Sequence, residues 1–451
     1  MLPFMTLQDD IRKTIRYARR NGVREAAHAA AERIRQKFSD RYRYEAPSKD
    51  VLLTQERDYV RLSAGEETQE VFRVDTRLSH APKFSILVPA CNPSEKHFRA
   101  LVSSVLSQSY GGFELIVADA GTNGSVEKVL RETEDERIVY FRLPANGGIS
   151  ANTNAAARRA TGDYVVFLDH DDMLTPDALY EMAFAAVRTG AEILYSDEDK
   201  CDSNGRIFYE PNRKPDFNTD YFFANNYICH LLVMKRELFG ALLLRSRFDG
   251  AQDYDLLLRA PKSEICHVPK ILYHWRVHTA STAGNPGSKD YAYEAGKAAL
   301  EDYYESCGIR ALVSHSKHRG FYRTQYLPDI FAARRDVGVV GGKLIDRKKR
   351  IVGGMMDEAG NVLFAGAHAA DSGEMHRADT AQDAYAVDVR CMRIRAELRT
   401  LYREVFGVSY EEHIMPGTKK LTEQSIEFCR RAAQMGYLIV WDPEFIRTIN
   451  A

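Results

Sequence analysis

Five short apolar segments alternate with helical segments between residues 84 and 197, and this alternation restricts the fold more than any other feature of the chain. The predicted strands are FSILVP, FELIVAD, RIVYFRL, DYVVFLD and AEILYSD. The intervening stretches include HFRALVSSVLSQS and PDALYEMAFAAVR, whose apolar spacing predicts helices. Apolar strands that alternate with helices predict an α/β fold with a parallel sheet covered on both faces. Such sheets bind ligands at the carboxyl ends of their strands.

Acidic residues stand at the ends of three predicted strands. They are Asp119 after the second strand, Asp169, Asp171 and Asp172 after the fourth, and the segment SDEDK (196–200), predicted as a loop, after the fifth. Because these strand ends share one edge of the sheet, the carboxylates should lie near one another. Crowded carboxylates repel each other, and a hard divalent cation such as Mg²⁺ or Mn²⁺ relieves the repulsion. The sequence therefore predicts a metal-assisted site, of the kind that commonly includes substrate phosphates.

Two glycines, Gly147 and Gly148, precede the predicted helix ISANTNAAA after the third strand. Glycine lets a backbone approach a ligand closely, and a helix start offers N–H groups to an anion. A plain turn is the alternative interpretation. Neither GxGxxG nor GxxxxGK[ST] occurs in the chain, which argues against an ordinary dinucleotide site or P-loop.

The segments before the sheet carry different patterns. Apolar spacing and the stop Asn21-Gly22 predict a helical hairpin over residues 1–43, and residues 44–80 are predicted to be a linker. Basic residues on the first helix indicate either a solvated face or a peripheral contact with anionic lipid. Its start lacks the apolar core of a signal peptide, and no apolar run is long enough to span a bilayer. The seven cysteines form no CxxC pair. We therefore expect a cytoplasmic protein or one peripheral on the inner face of the membrane.

The net charge of −1 gives no global field that would favour nucleic acid. Several segments in order, KFSILVPACNP, NGGISANTNAAARRATGDYVVFLDHDD, YSDEDK, GAQDYDLLLRA and KILYHWRVHTASTA, together resemble family 2 glycosyltransferases with the GT-A fold. The similarity covers about residues 83 to 306 and is greatest to bacterial enzymes of cell-envelope polysaccharides such as O-antigens and rhamnans.

The resemblance implies a GT-A domain over residues 81–310. It also implies inverting transfer of a hexose from a dTDP- or UDP-sugar to a hydroxyl of a lipid-linked glycan. The alternative is a non-catalytic partner that binds a glycan or nucleotide-sugar for another transferase. A sugar nucleotidyltransferase would carry a Gly-rich loop after the first strand, and PACNPSEKHF has no glycine there.

The resemblance further implies roles for individual residues. Asp169 and Asp171 match the DxD pair of the family, and Asp172 and His278 are further candidate ligands for Mn²⁺ or Mg²⁺, with His274 as an alternative to His278. Asp253 matches the general base. The implied donor-binding residues are Pro89, Ala90, Asn92, Asp119, Asn146, Gly147, Gly148, Asn154, Asp169, His170, Asp197 and Arg276.

Three further positions qualify this picture. Asp255 is expected to cap or support the helix that carries the base. Cys91 and Ala120 depart from the family pattern, in which Tyr and a second Asp are more usual, and these departures leave the nucleotide base undetermined.

Residues 311–451 resemble the second half of another such domain, through DVGVVGGKLID, VRCMRIRAEL and EQSIEFCRRAAQMGYLIVWDP. No counterpart of FSILVP or DHDD precedes these segments, and Ser425 stands in the place of Asp253. Serine is not a base at neutral pH without an activator. We therefore predict a non-catalytic α/β half-repeat. Three roles stay open for it: packing on the first domain, binding the growing glycan, or forming a homodimer.

Overall fold

A computed structural model describes residues 7–37, 81–278, 290–411 and 418–449. The predicted linker and the last residues of the predicted hairpin lie outside these ranges. The chain divides into a larger unit, residues 40–217 and 227–303, and a smaller unit, residues 1–39, 218–226 and 304–451. Within the described ranges, every helix is too short or too polar to cross a membrane.

The larger unit is built on one nine-stranded sheet. Its strands are β1 (Phe84–Ala90), β2 (Phe113–Asp119), β3 (Ile138–Arg142), β4 (Tyr164–Phe167), β5 (Met173–Leu174), β6 (Ile193–Cys201), β7 (Phe208–Asn212), β8 (Leu232–Lys235) and β9 (Ile265–Arg276). They lie in the order β3-β2-β1-β4-β8-β6-β9-β5, with β7 beside β6. Strands β1 to β4 are parallel, as predicted, and β8 runs antiparallel to both of its neighbours.

Helices connect these strands and cover the sheet. They are α3 (Glu95–Leu106), α4 (Ser125–Arg131), α5 (Ile149–Ala157), α6 (Ala178–Thr189), α8 (Arg236–Leu242), α9 (Gln252–Arg259) and α10 (Asp290–Ser306), which extends past the end of this unit. In α3, Ser94 accepts a hydrogen bond from the backbone of His97, and Leu101 and Val105 are buried one turn apart. They join Val88 and Val117 in the core, which confirms the predicted α/β fold.

The segment SDEDK is part of strand β6, so its prediction as a loop was wrong. Two of its carboxylates are buried against imidazoles of β9: Asp197 Oδ1 lies 2.9 Å from His267 Nε2, and Asp199 Oδ1 lies 2.5 Å from His274 Nδ1. These partners stand 70 and 75 residues further along the chain. The local sequence shows only acidic residues, which are typical of a loop. Burying these carboxylates is unfavourable unless they have polar partners, and the imidazoles of the distant strand β9 supply such partners.

The described residues of the smaller unit form three sheets. Its helices are α1 (Leu7–Asn21), α2 (Val23–Lys37), α7 (Thr219–Ala224), α11 (Ile330–Ala333), α12 (Arg399–Phe406) and α13 (Thr418–Gln434). Its strands are β10 (Ala311–His315), β11 (Tyr322–Tyr326), β12 (Val337–Ile345), β13 (Ile351–Gly353), β14 (Met355–Met356), β15 (Gln382–Asp383), β16 (Ala386–Val387), β17 (Met392–Ile394) and β18 (Leu438–Thr448). The main sheet has the order β13-β12-β18-β15, with β17 also on β12, and β12 is parallel to β18.

Ser425 has a structural role in this unit. It lies inside α13 rather than in a first helical turn, and it is 1% exposed. Its Oγ donates to the carbonyl of Leu421 at 2.7 Å and accepts from the backbone N–H of Val389 at 3.1 Å. The hydroxyl is therefore used to join α13 to the segment before β17.

Candidate active site

A cavity of about 140 Å³ lies in the larger unit beside the carboxyl ends of β1 and β4. Pro89 from β1 and Asp169 after β4 line it, together with His230 before β8 and Trp275 from β9. Asp253 lines it as well, from the first turn of α9. The structure thus brings the predicted donor-side aspartate and the predicted base to one cavity.

The carboxylates that follow β4 have different surroundings. Asp171 Oδ2 lies 2.8 Å from His278 Nε2, so these two predicted metal ligands are adjacent. Asp172 is 1% exposed and accepts hydrogen bonds from Tyr273 Oη at 2.5 Å and from the backbone N–H of Arg276 at 2.7 Å. Burial and the neighbouring charges of Asp171 and Asp169 raise the pKa of Asp172 well above its ordinary value.

His230 is a site residue that sequence reasoning missed. Its ring lies in a group with Asp169 and Asp172 in which one ligand atom of each residue is within 4.8 Å of the others. The ring also stacks on Tyr273 at 4.5 Å. No local motif marks this histidine, because its position depends on the pairing of β8 with β4 and β6.

The donor atoms present at this site fit a divalent cation. Burial first, and then the neighbouring carboxylates of Asp171 and Asp169, raise the pKa of Asp172, and a bound positive charge would relieve the part that comes from repulsion. Carboxylate oxygens suit Mg²⁺ and Mn²⁺, and the imidazole of His230, grouped with Asp169 and Asp172, favours Mn²⁺ of the two, while the adjacent pair Asp171 and His278 lies outside that group.

Arg276 supports the strand end instead of reaching across the cavity. It is 1% exposed, and its Nε donates to the carbonyl of Asp171 at 2.6 Å. Its Nη1 donates to the carbonyl of Ser203 at 3.2 Å, and its Nη2 is buried without a hydrogen-bond partner in the described part of the chain. The guanidinium therefore holds the backbone of the DHDD segment, which differs from the expected contact with a diphosphate.

The predicted nucleotide-side residues lie at the ends of β1 and β2. Asp119 is 2% exposed and accepts from the backbone N–H of Gly121 at 2.8 Å and from Tyr140 Oη at 3.2 Å. Asn92 Oδ1 accepts from the backbone N–H groups of Thr122 and Asn123, at 2.7 and 2.9 Å. The Asn92 amide thus joins the two loops that follow these strands.

Two neighbours of this region are also fixed by the fold. Ala90 is fully buried in β1, and His170 Nδ1 lies 3.3 Å from the carbonyl of Pro89.

The start of α5 is occupied by the chain itself, which corrects the prediction of an open anion site. The backbone N–H and the Oγ of Ser150 both donate to Asp249 Oδ1, at 3.3 and 2.5 Å. Gly148 has φ +89°, and a Cβ added there would lie 2.4 Å from Asp249 Oδ2. Asp249 stands 99 residues beyond Ser150, so no local pattern indicates this contact.

The asparagines around this helix also have structural partners. Asn146 Oδ1 accepts from the backbone N–H of Gly148 at 3.1 Å, and the N–H of Gly147 donates to Asn152 Oδ1 at 3.2 Å. Asn154 exchanges two hydrogen bonds with the backbone of Leu244, at 2.9 and 3.0 Å. The predicted donor-binding role of Asn154 therefore has no geometric support, since its amide is used to hold α5.

Asp253 and Asp255 differ sharply although they share a helix. Asp253 is partly exposed and lines the cavity. Asp255 is 1% exposed and is bound by Arg259 Nη2 at 2.9 Å and Arg245 Nε at 3.0 Å. The predicted supporting role of Asp255 is confirmed.

The larger unit thus has the α/β sheet of a GT-A fold, with aspartates at the carboxyl ends of its parallel strands and with Asp169 and Asp253 lining one cavity. Residues 85–245 match the family model described as Glycosyl transferase family 2. Residues 85–245 therefore form a family 2 glycosyltransferase domain.

The chain is similar to several bacterial proteins over about half of its length. The chain is 39% identical over 236 residues, half of its length, to an uncharacterized protein y4gI of Sinorhizobium fredii. It is 35% identical over 265 residues, 57% of its length, to the O-antigen biosynthesis protein RfbC of Myxococcus xanthus. These alignments cover only 26% and 20% of the two relatives. A crystal structure of S. aureus TarS 1-349 with UDP-GlcNAc is 20% identical, covers 49% of this chain and 66% of its own, and has a TM-score of 0.40.

Proposed function

We propose that this protein is an inverting, metal-dependent glycosyltransferase of cell-envelope polysaccharide synthesis. It would transfer a hexose from a nucleoside diphosphate sugar, with dTDP or UDP as carrier, to a hydroxyl of a lipid-linked glycan. The observation that carries the proposal is that Asp169 and Asp253 line one cavity from different elements. In this proposal residues 81–310 do the chemistry and residues 311–451 do none.

The proposed reaction uses the two sides of this cavity differently. The acceptor hydroxyl oxygen forms a bond to the anomeric carbon as the bond from that carbon to the diphosphate oxygen breaks. The nucleoside diphosphate leaves with the electron pair, and the Asp253 carboxylate takes the proton of the hydroxyl. Attack opposite the leaving group inverts the anomeric configuration. Asp255, held by two arginines, keeps α9 in place so that Asp253 stays directed at the acceptor.

The donor side rests on the DHDD segment. Asp169, Asp171 and Asp172, with His278 and His230, would hold Mn²⁺ or Mg²⁺, and the bound cation would neutralise charge on the leaving diphosphate. Arg276 fixes the backbone of this segment, and Asp119 stands at the end of β2, where a base or ribose would bind.

The first helix supports a place at the cytoplasmic face of the membrane. Ile11 and Ile15, one turn apart on α1, are each 48% exposed. Arg16, Arg19 and Arg20 on the same helix are exposed as well. An exposed apolar pair beside arginines suits peripheral contact with anionic lipid.

The experiment that tests the proposal is a donor panel. Purified protein is incubated with dTDP- and UDP-hexoses in Mn²⁺ or Mg²⁺, and release of nucleoside diphosphate is measured with and without chelator. We expect one donor class to be turned over, and chelator to stop the release. A protein that only binds sugars for another transferase would retain a nucleotide-sugar without releasing diphosphate. Turnover that is indifferent to chelator would contradict the metal assignment.

A further inference from the structure

A second cavity, of about 810 Å³, lies within the smaller unit. Its walls come from α7, β10, β11, β12 and β18 and from the segment around residue 380. Its volume falls in the range of sites that hold small ligands. The function proposed above does not use it.

Lys343, on β12, is the most unusual residue of this wall. It is 2% exposed, and its Nζ donates to the carbonyl of Ala369 at 2.8 Å. Among the described residues, no carboxylate lies within ion-pair distance of Lys343. Burial lowers the pKa of this amine to about 8. The buried ammonium of Lys343 has three N–H groups and one hydrogen-bond acceptor, so it can donate further hydrogen bonds to a ligand in the cavity.

Asp379 offers the opposite capacity on the same wall. Its side chain is 9% exposed, and its Oδ2 accepts from Lys317 Nζ at 2.7 Å and His318 Nε2 at 2.9 Å. Its Oδ1 is buried and has no hydrogen-bond partner in the described part of the chain. An oxygen left in this state normally meets a donor from water, an ion or a ligand.

The chemistry of the wall distinguishes between classes of ligand. Lys317 already lies beside Asp379, so a metal cation at this carboxylate would meet a positive charge. The charged side chains that line the cavity include both acids and bases, so the cavity has no excess of positive charge that would favour a polyanion. A neutral sugar meets neither objection, because its hydroxyls accept from an ammonium and donate to a carboxylate.

Aromatic rings complete the site. Phe223, Phe321, Tyr322 and Tyr326 line the cavity. The C–H faces of a sugar ring pack against such rings, while the hydroxyls at its edge need polar partners. We propose that this cavity binds an oligosaccharide, with Lys343 and Asp379 as its polar contacts, as a glycan site separate from the reacting cavity.

The test uses the full chain, fluorescently labelled, on an array of bacterial cell-envelope oligosaccharides. Wild type should bind a subset of the array, and Lys343→Met should weaken that binding at least about tenfold, since hydrogen bonds to charged groups are the stronger ones. Because the Ala369 carbonyl loses its donor in Lys343→Met, the melting temperature is measured as well, and binding is compared at a temperature where both proteins are fully folded. Asp379→Asn is the second variant, and Lys128→Met, at an exposed position of the larger unit that lines neither cavity, is the matched control that should bind the array like wild type.

Three results would overturn the proposal. Wild type could bind no oligosaccharide, Lys343→Met and Asp379→Asn could bind as wild type does, or chelator could abolish binding and so assign the His318, His376 and Asp379 group to a metal ion. Diphosphate release with a short acceptor should be unchanged in Lys343→Met. A failure here is thus distinguishable from a failure of the proposed transfer reaction.

Discussion

Replacing aspartate with asparagine at two positions of α9 should give two different defects, one in activity and one in stability. Asp253→Asn should abolish transfer and leave the fold intact, whereas Asp255→Asn should destabilise the larger unit. The two aspartates stand two residues apart, but Asp253 lines the cavity and Asp255 is 1% exposed between two arginines. The pair therefore separates a chemical role from a structural role within one helical turn.

The structure sets the size of each effect. Loss of a general base typically costs about 10²–10⁴-fold in rate, and Asp253→Asn should cost less than about 1 kcal/mol of stability through the helix dipole. Removing one partner of a buried ion pair costs about 3–5 kcal/mol. The side chains of Arg245 and Arg259 are 29% and 19% exposed, so water can solvate them when Asp255 is neutralised. Arg245 also retains a second carboxylate partner, Asp302, at 2.8 Å. We therefore expect the lower end for Asp255→Asn, about 3 kcal/mol.

The assay combines transfer of a labelled sugar with urea unfolding of each variant. Donor affinity should be retained in Asp253→Asn, because the residues proposed to hold the metal and diphosphate follow β4, whereas Asp253 stands on α9. Wild-type turnover in Asp253→Asn would refute the assignment of the base. Wild-type stability in Asp255→Asn would refute the supporting role inferred from its two arginines.

Substitutions at Asp171, Gly148 and Asp383 test three other contacts of the structure. Asp171→Asn removes the carboxylate beside His278 and should raise the Mn²⁺ concentration needed for half-maximal activity about 10–100-fold, measured by metal titration. Gly148→Ala places a Cβ 2.4 Å from Asp249 Oδ2 at φ +89°, and urea unfolding should show a loss of about 1–3 kcal/mol. Burial and the charge of Asp220 hold the pKa of Asp383 well above its ordinary value. Its protonated form therefore stabilises the smaller unit at low pH, and this stability is lost as pH rises from about 4 through the raised pKa. Asp383→Asn should flatten that decline in melting temperature, and an unchanged slope would contradict the assignment.

The strands and helices of the larger unit were predictable because their signals are local. FSILVP and FELIVAD pair in register as β1 and β2, and the helix after Ser94 has its cap and its apolar spacing within a few residues. Placing the predicted metal ligands at one edge needed only the rule for parallel strands.

The errors share one physical cause, which is dependence on distant partners. SDEDK looks like a loop until the imidazoles of His267 and His274 pair with it in β9. The start of α5 looks open until Asp249 fills it, and His230 joins the candidate metal ligands only through the pairing of β8. Such contacts leave no periodic signal in a single sequence.

The most direct test of the central claim is calorimetric titration of the protein with UDP and dTDP, with Mn²⁺ present and with chelator in its place. One nucleoside diphosphate should bind only with Mn²⁺, and Asp169→Asn should abolish this binding while Asp253→Asn retains it. Equal nucleotide affinity with chelator, or in Asp169→Asn, would contradict the claim that the aspartates after β4 hold the donor through a metal ion.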